Sequence, residues 1–205
     1  MPLLQEEKPD VPSFEPETES DQVKGQFKDF IWETLKVIII SLAIIIPVRY
    51  FLIQPFYVKG ASMEPNFYDH EYLIIDEISY RLGTPSRGDV IVFRPPSDQS
   101  QFFIKRIIGL PGETVRLTDG EIIILNEQNP DGFTLNEDKY LPNTHTQGST
   151  DLTLEWDEYF ILGDNRSSSL DSRVFGAITR SDIIGRTWIR GWPFDRLAVF
   201  NQPAY

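Results

Sequence analysis

The chain has 205 residues, 31 of them acidic and 19 basic, for a formal charge of -12. It contains no cysteine, which excludes disulfides, thiol nucleophiles and cysteine-held metals, and its two histidines are too few for a three-histidine metal site. The acidic balance argues against nucleic acid as a partner, because that ligand demands basic surface.

In chain order, residues 1–28 come first. They are rich in Glu, Asp, Pro and Ser and poor in large apolar residues, so they bury too little surface to offset the entropy of ordering. Eight acids face three lysines in the first 30 residues, which gives this stretch -5 of the total charge. A disordered acidic tail is expected there.

Residues 29–53 are the most apolar part of the chain, and from Val37 to Val48 nothing is charged. A helix from Ile31 to Ile53 would extend about 34 Å, enough for a bilayer core. Glu33, Lys36 and Arg49 sit near its ends, and Trp32 and Tyr50 fall where interfacial aromatics belong. A buried core helix or a cleaved signal sequence are the competing readings. A cleaved signal follows a basic segment and ends on small residues. Here an acidic tail precedes and Arg49-Tyr50-Phe51-Leu52-Ile53 follows, so a retained transmembrane helix is expected, with a bend at Pro47. Lys24, Lys28 and Lys36 on its N-terminal side, against Arg49 and Lys59 beyond it, favour a cytoplasmic N-terminus.

From residue 54 to 205 the pattern changes to short strands. They are expected at Phe56–Lys59, Tyr72–Glu77, Asp89–Phe93, Phe102–Ile108, Thr114–Thr118, Glu121–Leu125, Tyr159–Leu162 and Ile183–Arg190. Asp119-Gly120 joins two of these as a type I′ hairpin signal. The fold class is therefore mainly β, an antiparallel barrel or sandwich. Residues 126–157 are polar and read as an extended insertion or small subdomain.

Three constellations carry possible chemistry. Ser62 lies in Gly60-Ala61-Ser62-Met63-Glu64-Pro65, about nine residues past the apolar stretch and so within about 30 Å of a membrane surface if the chain is extended. Its small neighbours let another backbone approach. On these residues alone, a turn serine is the favoured reading. A serine nucleophile needs a base, and His70 and His145 both lie in polar, turn-like settings. The other solution is a lysine. Lysine acts as a base only when neutral, and burial can lower its pKa by about 3–5 units. Lys105 is the lysine set in an apolar strand, Phe102-Phe103-Ile104-Lys105-Arg106-Ile107-Ile108, sharing a face with Phe103 and Ile107. An edge-strand lysine that discourages aggregation is its competing reading. The third constellation is Gly163-Asp164-Asn165-Arg166-Ser167-Ser168-Ser169-Leu170-Asp171-Ser172-Arg173. Its charges lie between apolar strands and must pair or hydrogen-bond.

Together these pieces resemble the type I signal peptidases, membrane-bound Ser–Lys endopeptidases. The resemblance rests on Gln54-Pro55-Phe56, Gly60 to Pro65, Arg87-Gly88-Asp89-Val90-Ile91-Val92-Phe93, Lys105-Arg106-Ile107-Ile108-Gly109-Leu110-Pro111-Gly112, the 163–173 segment and Trp192-Pro193-Phe194-Asp195-Arg196-Leu197, in that order. It implies Ser62 as nucleophile and Lys105 as general base, with Ser169 orienting the lysine. Asp171, Arg173, Asp164, Asn165 and Arg166 would support the site, and Gly60, Ala61 and Met63 would contact substrate. Met63 and Phe67 would line a shallow pocket or contact lipid. It implies no cofactor and no metal. The partners it implies are secretory pre-proteins with small residues at -1 and -3, and a lipid bilayer, with the catalytic domain on the outer face. The Ser62 backbone N–H would serve the oxyanion hole. Some family members add a hydroxyl two residues before the nucleophile; here Gly60 offers none, and Asn66 replaces a common threonine. Self-cleaving repressors share the Ser–Lys chemistry, but their DNA-binding segment has no counterpart in the acidic tail.

Overall fold

A computed structural model describes residues 19–51 and 53–201, with side chains described over residues 28–46 and 55–201. The expected tail falls partly outside these residues, at 1–18. Its last ten positions belong instead to helix α1, Glu19–Phe51. The described α1 side chains are exposed, including Ile31, Val37–Ile40 and Ile44–Ile46. The helix runs on through position 47 but ends at Phe51, and Ile53 already belongs to the first strand, so the expected helix to residue 53 is too long at its end; the side chains of 47–53 lie outside the described residues. Among the described residues, no helix is long and apolar enough to cross a membrane.

Residues 47–205 form a separate compact unit. Its strands are β1 Ile53–Tyr57, β2 Tyr72–Asp76, β3 Val90–Phe93, β4 Phe103–Gly109, β5 Thr114–Thr118, β6 Glu121–Asn126, β7 Asn129–Thr134, β8 Thr150–Thr153, β9 Glu158–Leu162, β10 Ile178–Thr179, β11 Ile183–Trp192 and β12 Ala198–Val199. Two short helices join them, α2 Ile78–Leu82 and α3 Ser172–Phe175.

The strands make two antiparallel sheets. The larger is ordered β1-β2-β11-β3-β4-β9-β10, with β12 also on β11; the smaller is β7-β6-β5-β8. Each order has two ends, so the described strands form open sheets and not the closed barrel that was one expectation. The expected hairpin is present: Thr118 pairs with Glu121, and Asp119 and Gly120 both have positive φ. The segment set aside as an insertion supplies β7 and β8, the two flanks of the smaller sheet.

Strands β3 and β9 and most of β4 are buried on both faces, as central strands with near-continuous apolar runs should be. Three apolar clusters result. Ile108 packs with Val115, Ile124 and Phe160; Ile107 with Ile91, Phe93 and Ile161; Ile104 with Val58, Met63 and Leu73. Strand β4 touches all three, so a polar residue on it is carried into the interior.

Candidate active site

Strand β4 brings Lys105 inside opposite Ile91 of β3. Lys105 is only 3% exposed, and its amine lies over the Phe103 ring, 5.6 Å from the centroid, as strand alternation requires. Burial pushes this amine down from 10.5 to about 8, against a partial upward pull from the Asp171 and Asp164 carboxylates. Nζ lies 2.8 Å from Ser62 Oγ and donates to the Ile104 carbonyl at 2.8 Å. A neutral amine has two N–H groups and one lone pair. With one N–H on Ile104, the lone pair can face the serine hydroxyl.

Ser62 arrives on the loop from Val58 to Glu71. The loop is closed by the Val58 N–H on the Glu71 carbonyl at 2.8 Å and the His70 N–H on the Val58 carbonyl at 3.1 Å. Gly60 takes φ +87°, a left-handed turn that suits glycine, and its N–H donates to Asp69 Oδ1 at 2.8 Å. Met63 and Phe67 are each 1% exposed and belong to the core under the loop. This corrects the expectation that they contact substrate or lipid: the Phe67 N–H bonds the Met63 carbonyl at 2.9 Å, and this single helical turn puts both side chains on its inner face. Gly60 and Ala61 are exposed beside Ser62 but do not line the cleft in front of it.

The 163–173 segment clasps this loop. Strand β9 ends with Leu162 opposite Arg106, so the residues that follow emerge beside β4. The Asn165 N–H donates to the Ser62 carbonyl and its Nδ2 to the Ala61 carbonyl, both at 3.0 Å. Gly163 is required by close packing: a Cβ there would sit 2.5 Å from the Ser62 carbonyl oxygen and 2.1 Å from Ser169 Oγ. Asp164 is held by Arg106 through two bonds, 2.8 and 2.7 Å, and accepts from Asn66 Nδ2 at 2.8 Å. Asp171 is held by Arg173 at 2.9 and 2.8 Å and by the Gly163 N–H at 3.0 Å. Burial works to raise the Asp171 carboxyl, but those bonds and the Arg173 charge outweigh it and hold the group below its usual range. Arg166 donates to the Gly163 carbonyl at 3.0 Å and pairs with Glu137 at 2.6 Å.

Ser169 departs from its expected role. Its hydroxyl packs over Gly163 and makes no well-formed hydrogen bond, to Lys105 or otherwise, among the described residues; its polar influence falls on Asp171. Neither histidine enters the site. His70 pairs with Asp69 and stacks on Tyr57, and His145 lies against the Gly120 turn. Among the described residues, no group of His, Asp and Glu gathers to hold a metal.

Four further residues carry the site, and none was among the expected site residues. Arg106 faces away from Lys105 along the strand yet neutralises Asp164. Its guanidinium stacks on Tyr140, 3.9 Å from the ring centroid. Asn66 bridges Asp164 and the Tyr140 carbonyl. Arg190 of β11 donates to the Asn66 carbonyl at 2.7 Å. The signal for Arg106 was its place in a buried strand, which demands a partner.

In front of Ser62 and Lys105 opens a cleft of about 360 Å³ whose walls include Phe56, Val58, Leu73, Val92, Phe102 and Ile104. A buried amine that gives up its proton more readily than an ordinary lysine, against a half-exposed hydroxyl in an apolar cleft, is the equipment for acyl transfer.

Comparison with known proteins places the chain in a family. The family model described as "Signal peptidase, peptidase S26" matches residues 31–192. Among curated proteins, Signal peptidase I of Leptolyngbya laminosa is 36% identical over 180 residues, covering 84% of this chain and 85% of that one. Probable signal peptidase I-2 of Synechocystis sp. is 34% identical, covering 82% and 77%. Signal peptidase I P of Bacillus subtilis subsp. natto is 31% identical, covering 83% and 94%. A crystal structure of a signal peptidase I from Enterococcus faecalis is 33% identical, covers 51% of this chain and 97% of that one, and superposes with a TM-score of 0.42.

Proposed function

The chain belongs to the signal peptidase family, peptidase S26, a family of serine endopeptidases, and from that premise we propose that it removes N-terminal signal peptides from exported pre-proteins with Ser62 as nucleophile and Lys105 as general base. The observation that carries the assignment is the 2.8 Å approach of a buried amine, lowered to about 8, to Ser62 Oγ. At pH 7 roughly one such lysine in eleven is neutral, against roughly one in three thousand at the ordinary 10.5, so burial raises the supply of base about 300-fold.

In the first step Lys105 accepts the Ser62 proton as Oγ bonds to the scissile carbonyl carbon. The oxyanion that forms faces the Ser62 backbone N–H. Gly60 presents no hydroxyl to it, so this chain relies on backbone or other donors. Protonated Lys105 then gives its proton to the leaving amine as the C–N bond breaks. The same lysine takes a proton from water, whose oxygen attacks the acyl-enzyme, and returns it to Ser62. Asn165, by gripping the carbonyls of Ala61 and Ser62, fixes the nucleophile's backbone throughout.

The substrate would enter as an extended strand beside the end of β1, whose Phe56 and the following Val58 wall the cleft. Apolar walls around a cleft of about 360 Å³ suit small residues at -1 and -3. The enzyme would be anchored by α1 from residue 31 to its end at Phe51, N-terminus cytoplasmic and catalytic unit on the outer face. The exposed isoleucines on every side of α1 support this reading, since a helix apolar all round has no use for water. Exposed Tyr57, Tyr72, Trp188, Trp192 and Phe194 on the β1 side of the large sheet add an aromatic surface of the kind found at membrane interfaces.

The test is cleavage of a pre-protein by the full chain in detergent. Ser62→Ala and Lys105→Ala should each lose activity by at least about a thousandfold. Retention of full activity by either variant would remove it from the chemistry.

A further inference from the structure

A second opening, of about 330 Å³, lies at the end of the large sheet where β1 begins. The pairing fixes its place. Ile53 lies opposite Asp76, the end of β2; β11 starts with Ile183 opposite Phe93, the end of β3; and Phe93 faces Phe103, the start of β4. Just beyond these ends three arginines line the opening: Arg81 from α2, Arg94 after β3 and Arg180 ahead of β11.

In a chain of charge -12 such a gathering needs a reason. Glu77 is the one carboxylate among the lining residues, and it meets Arg81 at 3.3 Å. Arg180 is held by the backbone carbonyls of Tyr80 and Ile183, which orient its charge without cancelling it. Arg94 is exposed, stacks on Phe102 with its guanidinium 5.4 Å from the ring centroid, and has no carboxylate partner among the described residues. The nearby Asp182 carboxylate is turned to the Thr179 N–H and hydroxyl. Two positive charges are thus left for a ligand.

Glu77 does not compete for that ligand. It is 8% exposed, its Oε1 is closed to solvent and its Oε2 is turned to Arg81. The ligand should therefore be anionic where it meets the arginines, as a phosphodiester is. The wall adds a further constraint: Phe102, which lines the opening, is 48% exposed, a setting for the start of an acyl chain.

We propose that Arg94 and Arg180, beside Arg81, bind the phosphate of an anionic phospholipid. The choice of lipid over soluble phosphate rests on the membrane-anchored reading, because α1 ends at Phe51, two positions before Ile53, the first residue of β1 at this same end of the sheet. Phe102 is common to this opening and to the catalytic cleft. A lipid seated here would set that wall of the cleft against the interface from which a signal peptide emerges.

The experiment is a thermal-melting titration of the full chain in neutral detergent with three probes: dihexanoyl phosphatidylglycerol, dihexanoyl phosphatidylcholine and inorganic phosphate. A ligand that binds the folded state alone raises the melting temperature with concentration. Phosphatidylglycerol should do so, with phosphatidylcholine and phosphate weaker by about tenfold or more in apparent Kd. Arg94→Gln alters an exposed residue and should weaken the phosphatidylglycerol response about tenfold without changing the unliganded melting temperature. Ser62→Ala should respond as the unaltered chain does, which separates this site from the fate of the catalytic assignment. Equal response to phosphate and phosphatidylglycerol would make this a free-anion site and overturn the lipid. An Arg94→Gln response equal to that of the unaltered chain, or no response to phosphatidylglycerol, would overturn the site itself.

Discussion

Replacing Lys105 with methionine tests whether the site's base is bought with folding stability. The side chain is 3% exposed and its amine sits at about 8 in place of 10.5, so the difference of about 2.5 units corresponds to about 3 kcal/mol at 1.36 kcal/mol per unit. The sign follows from where the proton is. Below pH 8 both folded and unfolded chains hold it, and the folded chain carries the whole cost of a buried charge. Between 8 and 10.5 the unfolded chain keeps a proton that the folded chain has released, so stability rises with pH. Above 10.5 the cost is gone.

Methionine removes the charge and keeps much of the length, but forfeits the bonds to Ser62 and Ile104, about 1 kcal/mol each. At pH 7 Lys105→Met should therefore be inactive yet more stable by about 1 kcal/mol. The pH dependence is the sharper number. Between pH 7 and pH 9.5 that advantage should shrink and reverse, moving by about 2 kcal/mol, while groups shared by both proteins cancel. Urea unfolding of both chains in the same detergent, followed by tryptophan fluorescence at the two pH values, measures it. A stability difference that stays flat across this range would refute the claim that burial lowers the amine.

Three other outcomes follow from the geometry. The pH profile of kcat/KM should rise tenfold per unit up to a midpoint near 8, and Asp171→Asn should move that midpoint down, because the Asp171 charge is one of two that pull the amine upward; an unmoved or raised midpoint contradicts this. Gly163→Ala should cost at least about a hundredfold in kcat, since its Cβ would press to 2.5 Å from the Ser62 carbonyl oxygen, and normal turnover would show that the 163–173 segment does not fix the nucleophile. Arg190→Met strips a buried partner from Glu71 and from the Asn66 carbonyl, and should destabilise by about 3 kcal/mol in chemical denaturation. Adding Glu71→Gln should recover part of that loss, and strict additivity would mean that the two are not coupled.

Much of the larger sheet could be read from the chain because its central strands are buried on both sides. Runs such as Val90–Phe93 and Tyr159–Leu162 carry their own signal. The same apolar surroundings singled out Lys105. Strands β7 and β8 could not be read in this way. They are the two edges of the smaller sheet, exposed along much of their length, and Asn129–Thr134 contains Pro, Asp and Gly, which an edge tolerates and a pattern search rejects. Within the site, what escaped was pairing across distance. Arg106 meets Asp164 because β4 and β9 are neighbours, and Asn66 meets Arg190 across 124 positions. No local pattern encodes such contacts. Ser169 failed for the opposite reason: a hydroxyl in a polar run looked like a partner for the amine, whereas its position is set by packing on Gly163.

The pairing also explains why the site's carboxylates are neutralised by arginine. Asp164 and Asp171 both pull the Lys105 amine upward, and burial prevails only while that pull is moderated. Arg106 and Arg173 each grip their carboxylate with two bonds. Guanidinium stays charged at every pH where the chain is folded, so its neutralising charge is constant while Lys105 titrates near 8. A second lysine in either place would bring one more titrating ammonium into the range that the base requires. It would also lose the two-point grip that holds the 163–173 segment against the Ser62 loop. Arg106→Lys and Arg173→Lys therefore differ from the parent in electrostatics and in geometry at once, and the site's tolerance for them should be low.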